Sequence, residues 1–316
     1  MLLNYEKILS FWNLDFSAVN ENISFYGSPE RSNWRVAITS KTGQIYILEK
    51  INPSIAPRKE EIAQNILFLQ QKNASLPLVV YLKNKDGSFV SEIENEYWIL
   101  SPFIVGIPLD RISYLEDGWR GEIMADFILN FKNTADKIFI EPKNIFSLPE
   151  YVEKIYADME KFNPNEKKDL EPVIKHLQKN FFQIYDQIPV AFCHGDYHPI
   201  NIIWGENRIN GVIDWEFCGF KPEMYDAANM VGCLGMEHPD TLNKKIVLNF
   251  LQKFKQAKFF SPLSWQYFID TIIALRFAWL AEWLRKKDIE MTELEIVYIL
   301  SLLENKETLK KNWKLF

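Results

Sequence analysis

The sequence of 316 residues carries 36 Lys+Arg against 42 Asp+Glu, a formal net charge of −6, with 47% hydrophobic and 25% charged residues. That length suits two domains or one large two-lobed unit, and the composition is enough to bury a full core, which excludes a disordered chain. The mild acidity disfavours nucleic acid and anionic membrane as partners, since both call for clustered positive charge.

In chain order, residues 23–27, 34–39 and 44–51 are short β-rich runs punctuated by Gly27-Ser28-Pro29 and Lys41-Thr42-Gly43. Residues 58–72 have helical periodicity, with Ile62, Ile66 and Leu69 on one face, and Pro77 closes that segment. Residues 78–83 and 88–93 then flank a turn at Lys85-Asp86-Gly87, and 96–103 is a further strand. After Gly106-Ile107-Pro108 the pattern turns helical over 119–131, 148–162, 166–185, 241–258, 265–287 and 292–311, with one β-like interruption at 190–215. This predicts an α+β chain of two lobes: a small β-rich N-lobe over 1–104 that binds nucleotide, and a larger helical C-lobe over 105–316 with the catalytic loop and acceptor site. Glu6 and Lys7 interrupt the apolar N-terminus, so it is no signal peptide. Asp270, Arg276 and Glu282 break the apolar stretch 265–284, where a membrane span would avoid charge. Cys193, Cys218 and Cys233 are odd in number and lack C-x-x-C spacing, which reads as reduced thiols in a cytoplasmic protein.

The chemistry concentrates in residues 191–228. A turn over 205–211 separates two apolar runs, so a hairpin brings Asn201, before its first strand, near Asp214, after its second. Asp196 lies five positions before Asn201 in a loop with Gly195 and Pro199. Carboxylate and carboxamide are hard oxygen ligands that suit Mg²⁺. An unliganded carboxylate beside them accepts a proton from an attacking hydroxyl. Phosphoryl transfer needs that combination, a metal on the phosphates and a group that positions the nucleophile.

The run His194-Gly195-Asp196-Tyr197-His198-Pro199-Ile200-Asn201, then Ile213-Asp214-Trp215-Glu216, then Tyr225-Asp226-Ala227, resembles the H-G-D-x-x-x-x-N, I-D-[WF]-E and D-x-A elements of the aminoglycoside phosphotransferase and choline kinase family, within the protein-kinase-like fold. The close match spans the motif region, and the lobe pattern extends it loosely over the chain. The resemblance implies a kinase that moves a phosphoryl group from ATP or GTP, with Mg²⁺, to a hydroxyl of a small molecule. It implies Asp196 as catalytic base, Asn201 and Asp214 as metal ligands, and Asp226 as a brace of the catalytic loop. It also implies Ser101, Pro102 and Phe103 as the hinge that meets the base, and the loop from Gly27 to Trp34 as the cover of the phosphates. His194 braces the loop by hydrogen bonds.

One departure bears on nucleotide binding. Where the family carries a strand Lys, this chain has Glu49, with Lys50 one position later. Either a bulge or shifted register brings Lys50 to the phosphates, with Glu61 or Glu60 as its helix partner, or another cation does that work. A nucleotide-binding regulatory module without strong turnover is the alternative reading. Glu216, Trp215 and Arg276 are candidate acceptor contacts, each with a plainer reading as a capping, core or snorkelling side chain. His194 and His198 lack the Cys/His partners of a zinc site, and Cys193 reads as a small buried hydrophobe. The oligomeric state is not legible in the sequence.

Overall fold

A computed structural model of the chain describes residues 4–23, 32–111, 113–139, 141–142 and 144–315. Gly27, and with it most of the run 23–27, lies outside the described residues. The chain divides into two units, Met1–Ile107 with Ile202–Glu216 and Pro108–Asn201 with Phe217–Phe316. The first unit thus takes in residues 202–216, which a single cut between 104 and 105 leaves with the second.

The first unit opens with α1 (Tyr5–Leu9), capped by the Asn4 side chain, which accepts from the Lys7 amide. Among its described residues, β1 (Phe16–Val19), β2 (Ser32–Ser40), β3 (Ile45–Ile51), β4 (Val90–Ile93) and β5 (Glu96–Pro102) form an antiparallel sheet in the order β1-β2-β3-β5-β4. Helix α2 (Ala56–Lys72) follows β3. Period-two alternation splits β3 between the two faces. Tyr46 and Leu48 join Ile8, Leu9, Trp12 and Trp98 on one side. Ile51 joins Ala56, Ala63, Phe89 and Ile99 on the other. Glu49 shares the face of Ile51, and Lys50 shares the face of Leu48. The register of β3 against β5 runs through these residues without a shift, and the irregularity against β2 lies on the β2 strand, between Ser32 and Trp34, so β3 keeps its alternation and Lys50 stays on the face away from α2. Residues 78–83, expected as a strand, are irregular because they bond to two different partners. Leu78 forms a parallel bridge to Val212, and the Leu82 amide donates to Leu100 O at 2.8 Å.

The second unit contributes β6 (Val190–Cys193), which precedes the hairpin of β7 (Ile202–Gly205) and β8 (Arg208–Val212) in sequence, and β9 (Gly219–Pro222), which follows it; β6 and β9 pair antiparallel. The hairpin itself belongs to the first unit. It turns at Glu206-Asn207, with Asn207 at φ 54°, a conformation asparagine tolerates. It is fastened there by Val212 N donating to Pro77 O and Ile107 N donating to Trp204 O, both at 2.8 Å.

The rest of the second unit is helical: α3 (Gly118–Ala135), α4 (Leu148–Phe162), α5 (Pro164–Asp169), α6 (Glu171–Lys179), α7 (Phe181–Ile184), α8 (Tyr225–Glu237), α9 (Lys245–Gln256), α10 (Pro262–Gln266), α11 (Phe268–Lys286), α12 (Ile289–Glu304) and α13 (Lys306–Asn312). The single helix expected over 166–185 is divided because Pro172, without an N–H, starts α6 afresh. Helix α3 packs on α9 at Gly121, where a Cβ would lie 2.0 Å from Ile246 O. Only glycine permits that approach. Among the described residues no helix is long and apolar enough to cross a membrane.

Candidate active site

In the second unit, β6 leads straight into the loop from His194 to Asn201, and a buried carboxylate shapes it. Asp226, in the first turn of α8, accepts from the His194 amide at 2.7 Å and the Gly195 amide at 2.8 Å. Burial raises its pKa, while His194 and the two amides act in the opposite sense. Two backbone donors on one carboxylate fix the direction in which the loop leaves the strand. Gly195 then turns at φ 88°, and a Cβ there would stand 2.1 Å from Phe217 O. Gly195→Ala is therefore expected to destabilise the protein by more than the roughly 1–2 kcal/mol of a left-handed residue, measured as a fall in thermal midpoint together with lost turnover.

The turn is locked beyond that point. The His194 ring accepts from the Asp196 amide through Nδ1 at 3.1 Å, so His194 braces the loop. The Tyr197 hydroxyl donates to Met124 O at 3.2 Å, and Asn229 Nδ2 donates to Tyr197 O at 3.3 Å. Asp196 keeps its side chain 20% exposed, with Oδ1 3.7 Å from His198 Nε2. Asn201 Nδ2 donates to Asp196 O at 2.8 Å and Asp196 Oδ2 at 3.2 Å, and lies 3.1 Å from His198 Nε2. With the amide nitrogen committed in this way, Oδ1 is what Asn201 has to offer a ligand. His198 meets the ring of Trp279 edge-on at 6.0 Å. Cys193 is buried, which pushes its thiol pKa up, and it is core, not nucleophile.

In the first unit, Asp214 follows β8 with φ 69°, a left-handed conformation that costs a non-glycine residue energy. Glu216, two residues on, ion-pairs with Lys59 of α2. Against the upward push of burial, the Lys59 ammonium and Asp214 keep the Glu216 carboxyl below its ordinary range. Lys59 is 2% exposed; burial opposes its charge, but Tyr81, Glu49 and Glu216 together hold its pKa above the ordinary lysine value. Glu49 is buried as well, with Oε1 3.7 Å from Lys59 Nζ. Glu49 Oε1 and Glu216 Oε2 are buried without a hydrogen-bond partner.

Several expectations are corrected here. Lys50 ion-pairs with Glu96 and lies 6.0 Å from the Trp98 ring centroid, on the sheet face opposite Glu49 and α2. Glu61 pairs with Arg58 at 2.7 Å on the exposed side of α2. Glu60 accepts from the Phe89 and Val90 amides at 2.9 and 2.8 Å. Neither glutamate meets Lys50; the buried pair joins strand Glu49 to helix Lys59, with the signs exchanged. Lys59 was missed although a signal existed: it stands three residues before Ile62, on the stripe of Ile62, Ile66 and Leu69, where a charge must find a buried partner. Trp215 is buried with its indole N–H on Val212 O at 3.0 Å. Glu216 is held by Lys59. Arg276 is 3% exposed and grips Glu295 through two bonds of 2.6 Å, because a buried guanidinium requires a partner. Ser101 pairs with Ile47 inside the sheet, and the Phe103 amide donates to Ile45 O at 3.0 Å.

The family model described as "Phosphotransferase enzyme family" matches residues 28–260. The chain belongs to the phosphotransferase enzyme family. It is a small-molecule kinase of α+β, bilobal, protein-kinase-like fold, as the motifs implied. Among solved structures it is similar to an amicoumacin kinase in complex with AMP-PNP, Ca²⁺ and Ami, at 13% identity over 96% of this chain and 94% of that one, with a TM-score of 0.70. An aminoglycoside phosphotransferase from Alicyclobacillus acidocaldarius aligns at 10% identity over 98% and 97%, with a TM-score of 0.62. The AMP-bound complex of a spectinomycin phosphotransferase aligns at 13% identity over 94% and 97%, with a TM-score of 0.63. No curated protein matches the sequence.

Proposed function

We propose that this kinase transfers a phosphoryl group from ATP or GTP to a hydroxyl of a small-molecule acceptor, with Asp196 as the base. The observation that carries the reading is the grip of Asn201 on Asp196: one amide nitrogen reaches both the backbone and the carboxylate of the candidate base. The carboxylate is thereby aimed and the amide oxygen is left for a cation. Asp196 orients the acceptor hydroxyl and takes its proton as the new P–O bond forms. Because the transition state is loose, most of the rate comes from that positioning and from charge.

In this reading Asn201 and Asp214 are the residues that would hold Mg²⁺, since a carboxamide and a carboxylate each offer the hard oxygen it takes. Glu216, two positions after Asp214 and already ion-paired with Lys59, adds negative charge beside that ligand. Bound there, the metal would supply neutralisation of charge on the nucleotide's phosphates. Trp279, against His198 and near Trp283, gives the catalytic loop aromatic neighbours that suit an acceptor with an ammonium group. The cytoplasmic location stays part of the reading, on the odd number and the spacing of Cys193, Cys218 and Cys233.

The test is an ADP-release assay (and GDP-release with GTP) across hydroxylated amines, aminoglycosides and neutral sugars, with and without EDTA. Acceptor-dependent release that vanishes with the chelator and returns with Mg²⁺ is the expected outcome. Release that ignores both acceptor and metal defeats the reading.

A further inference from the structure

The charges of the first unit form a row of alternating sign. Arg35 of β2 stands opposite Glu49 of β3 in register, and its Nε donates to Glu49 Oε2 at 2.8 Å. On the other side of Glu49 comes Lys59, and beyond Lys59 comes Glu216. The order is Arg35, Glu49, Lys59, Glu216.

The two cations differ in what they can still reach. Lys59 is closed in, its side chain 2% exposed and its ammonium against two carboxylates. Arg35 has a side chain 27% exposed. Of the five N–H donors on a guanidinium, one is engaged by Glu49, and among the described residues no other hydrogen bond holds the fork. The Arg35 charge also interacts with that of Asp214, the proposed metal ligand, so phosphates drawn to a metal there fall within its field. A triphosphate is a polyanion, and a guanidinium fork binds phosphate oxygens in pairs. A carboxylate at position 49 repels phosphate, but it orients the arginine beside it.

We propose that Arg35 is the cation that receives the nucleotide's phosphates, with Glu49 orienting its guanidinium and Lys59 acting as a positioning residue that neutralises Glu49 and Glu216. This rests on the nucleotide-dependent reading above and assigns the contact to β2 in place of β3 or α2.

Calorimetric titration tests it without an acceptor. Mg-ADP, Mg-GDP, adenosine and guanosine are titrated into the wild-type protein, Arg35→Ala and Arg35→Lys. Loss of a hydrogen-bonded charge predicts that Arg35→Ala weakens the preferred diphosphate by about tenfold to a hundredfold, leaves its nucleoside unchanged, and that Arg35→Lys recovers part of the loss. Wild-type diphosphate affinity in Arg35→Ala overturns the proposal and leaves the nucleotide reading intact. Equal losses for nucleoside and nucleotide also overturn it, since they show damage to the sheet and not a missing charge. A wild-type protein that binds neither diphosphate removes the nucleotide reading, and the proposal goes with it.

Discussion

Asp196→Asn is expected to lower turnover by about 10²–10⁴-fold, the usual contribution of a positioned base, while leaving nucleotide affinity at the wild-type level. The substitution keeps the size of the side chain and removes its charge. The main tether of the loop survives, because Asn201 Nδ2 donates to the Asp196 backbone carbonyl at 2.8 Å whatever the side chain is. Asp226 still holds the amides of His194 and Gly195, so the loop keeps its course. What is lost is the group that accepts the hydroxyl proton. The measurement is the rate of ADP release with the best acceptor, set beside calorimetric titration of Mg-ADP. Full turnover in Asp196→Asn removes the assignment of this residue as base. A parallel loss of nucleotide affinity shows that the loop, and not the proton transfer, was disturbed.

The second large effect is on stability. Arg276→Met strips the partner from Glu295, which is wholly buried and accepts from Arg276 twice, and from the Trp283 indole at 3.3 Å. An unpaired buried carboxylate left by loss of its cation costs about 3–5 kcal/mol. A neutral pair of similar volume restores packing without any charge to satisfy, so Arg276→Met with Glu295→Leu is expected to recover most of the loss. Thermal and denaturant unfolding of the wild-type, single and double variants checks this. A single variant as stable as the wild type, or a double variant less stable than the single, contradicts the buried pair as the source of the effect.

The parts of the site that could be read from the sequence are those whose chemistry is local. Asp196 and Asn201 sit in one short motif where neighbours in sequence are neighbours in space, and the bond from Asn201 to the Asp196 carbonyl follows that logic. Asp226 reaches the His194 and Gly195 amides from a separate helix, and only the order of the motifs announced it. Glu49 and Lys50 show where such reading stops. One position along a strand exchanges the two faces, and which face meets α2 is set by pairing across β2 and β5, not by the local run. Arg276 lay on a helical stripe that fits a surface, yet its partner comes from α12, a tertiary contact that no spacing announces. The strand expected at residues 78–83 failed for a related reason: its partners, Val212 and Leu100, lie in different parts of the chain. Arg35 went unremarked because its use depends on Glu49 alongside it.

The hairpin of β7 and β8 has a consequence for synthesis. A nascent chain that has left the ribosome as far as Ile107 holds the whole sheet of the first unit, but neither the donor for the Pro77 carbonyl nor the acceptor for the Ile107 amide. Both arrive only with residues 202–216, after the intervening part of the other unit has been translated. Vectorial folding, which commonly completes domains from the N-terminus onward, is deferred here. The β-rich unit gains these two bonds only once residues 202–216 have emerged, and a gene fragment cut at residue 107 encodes a piece of that unit and not the unit itself.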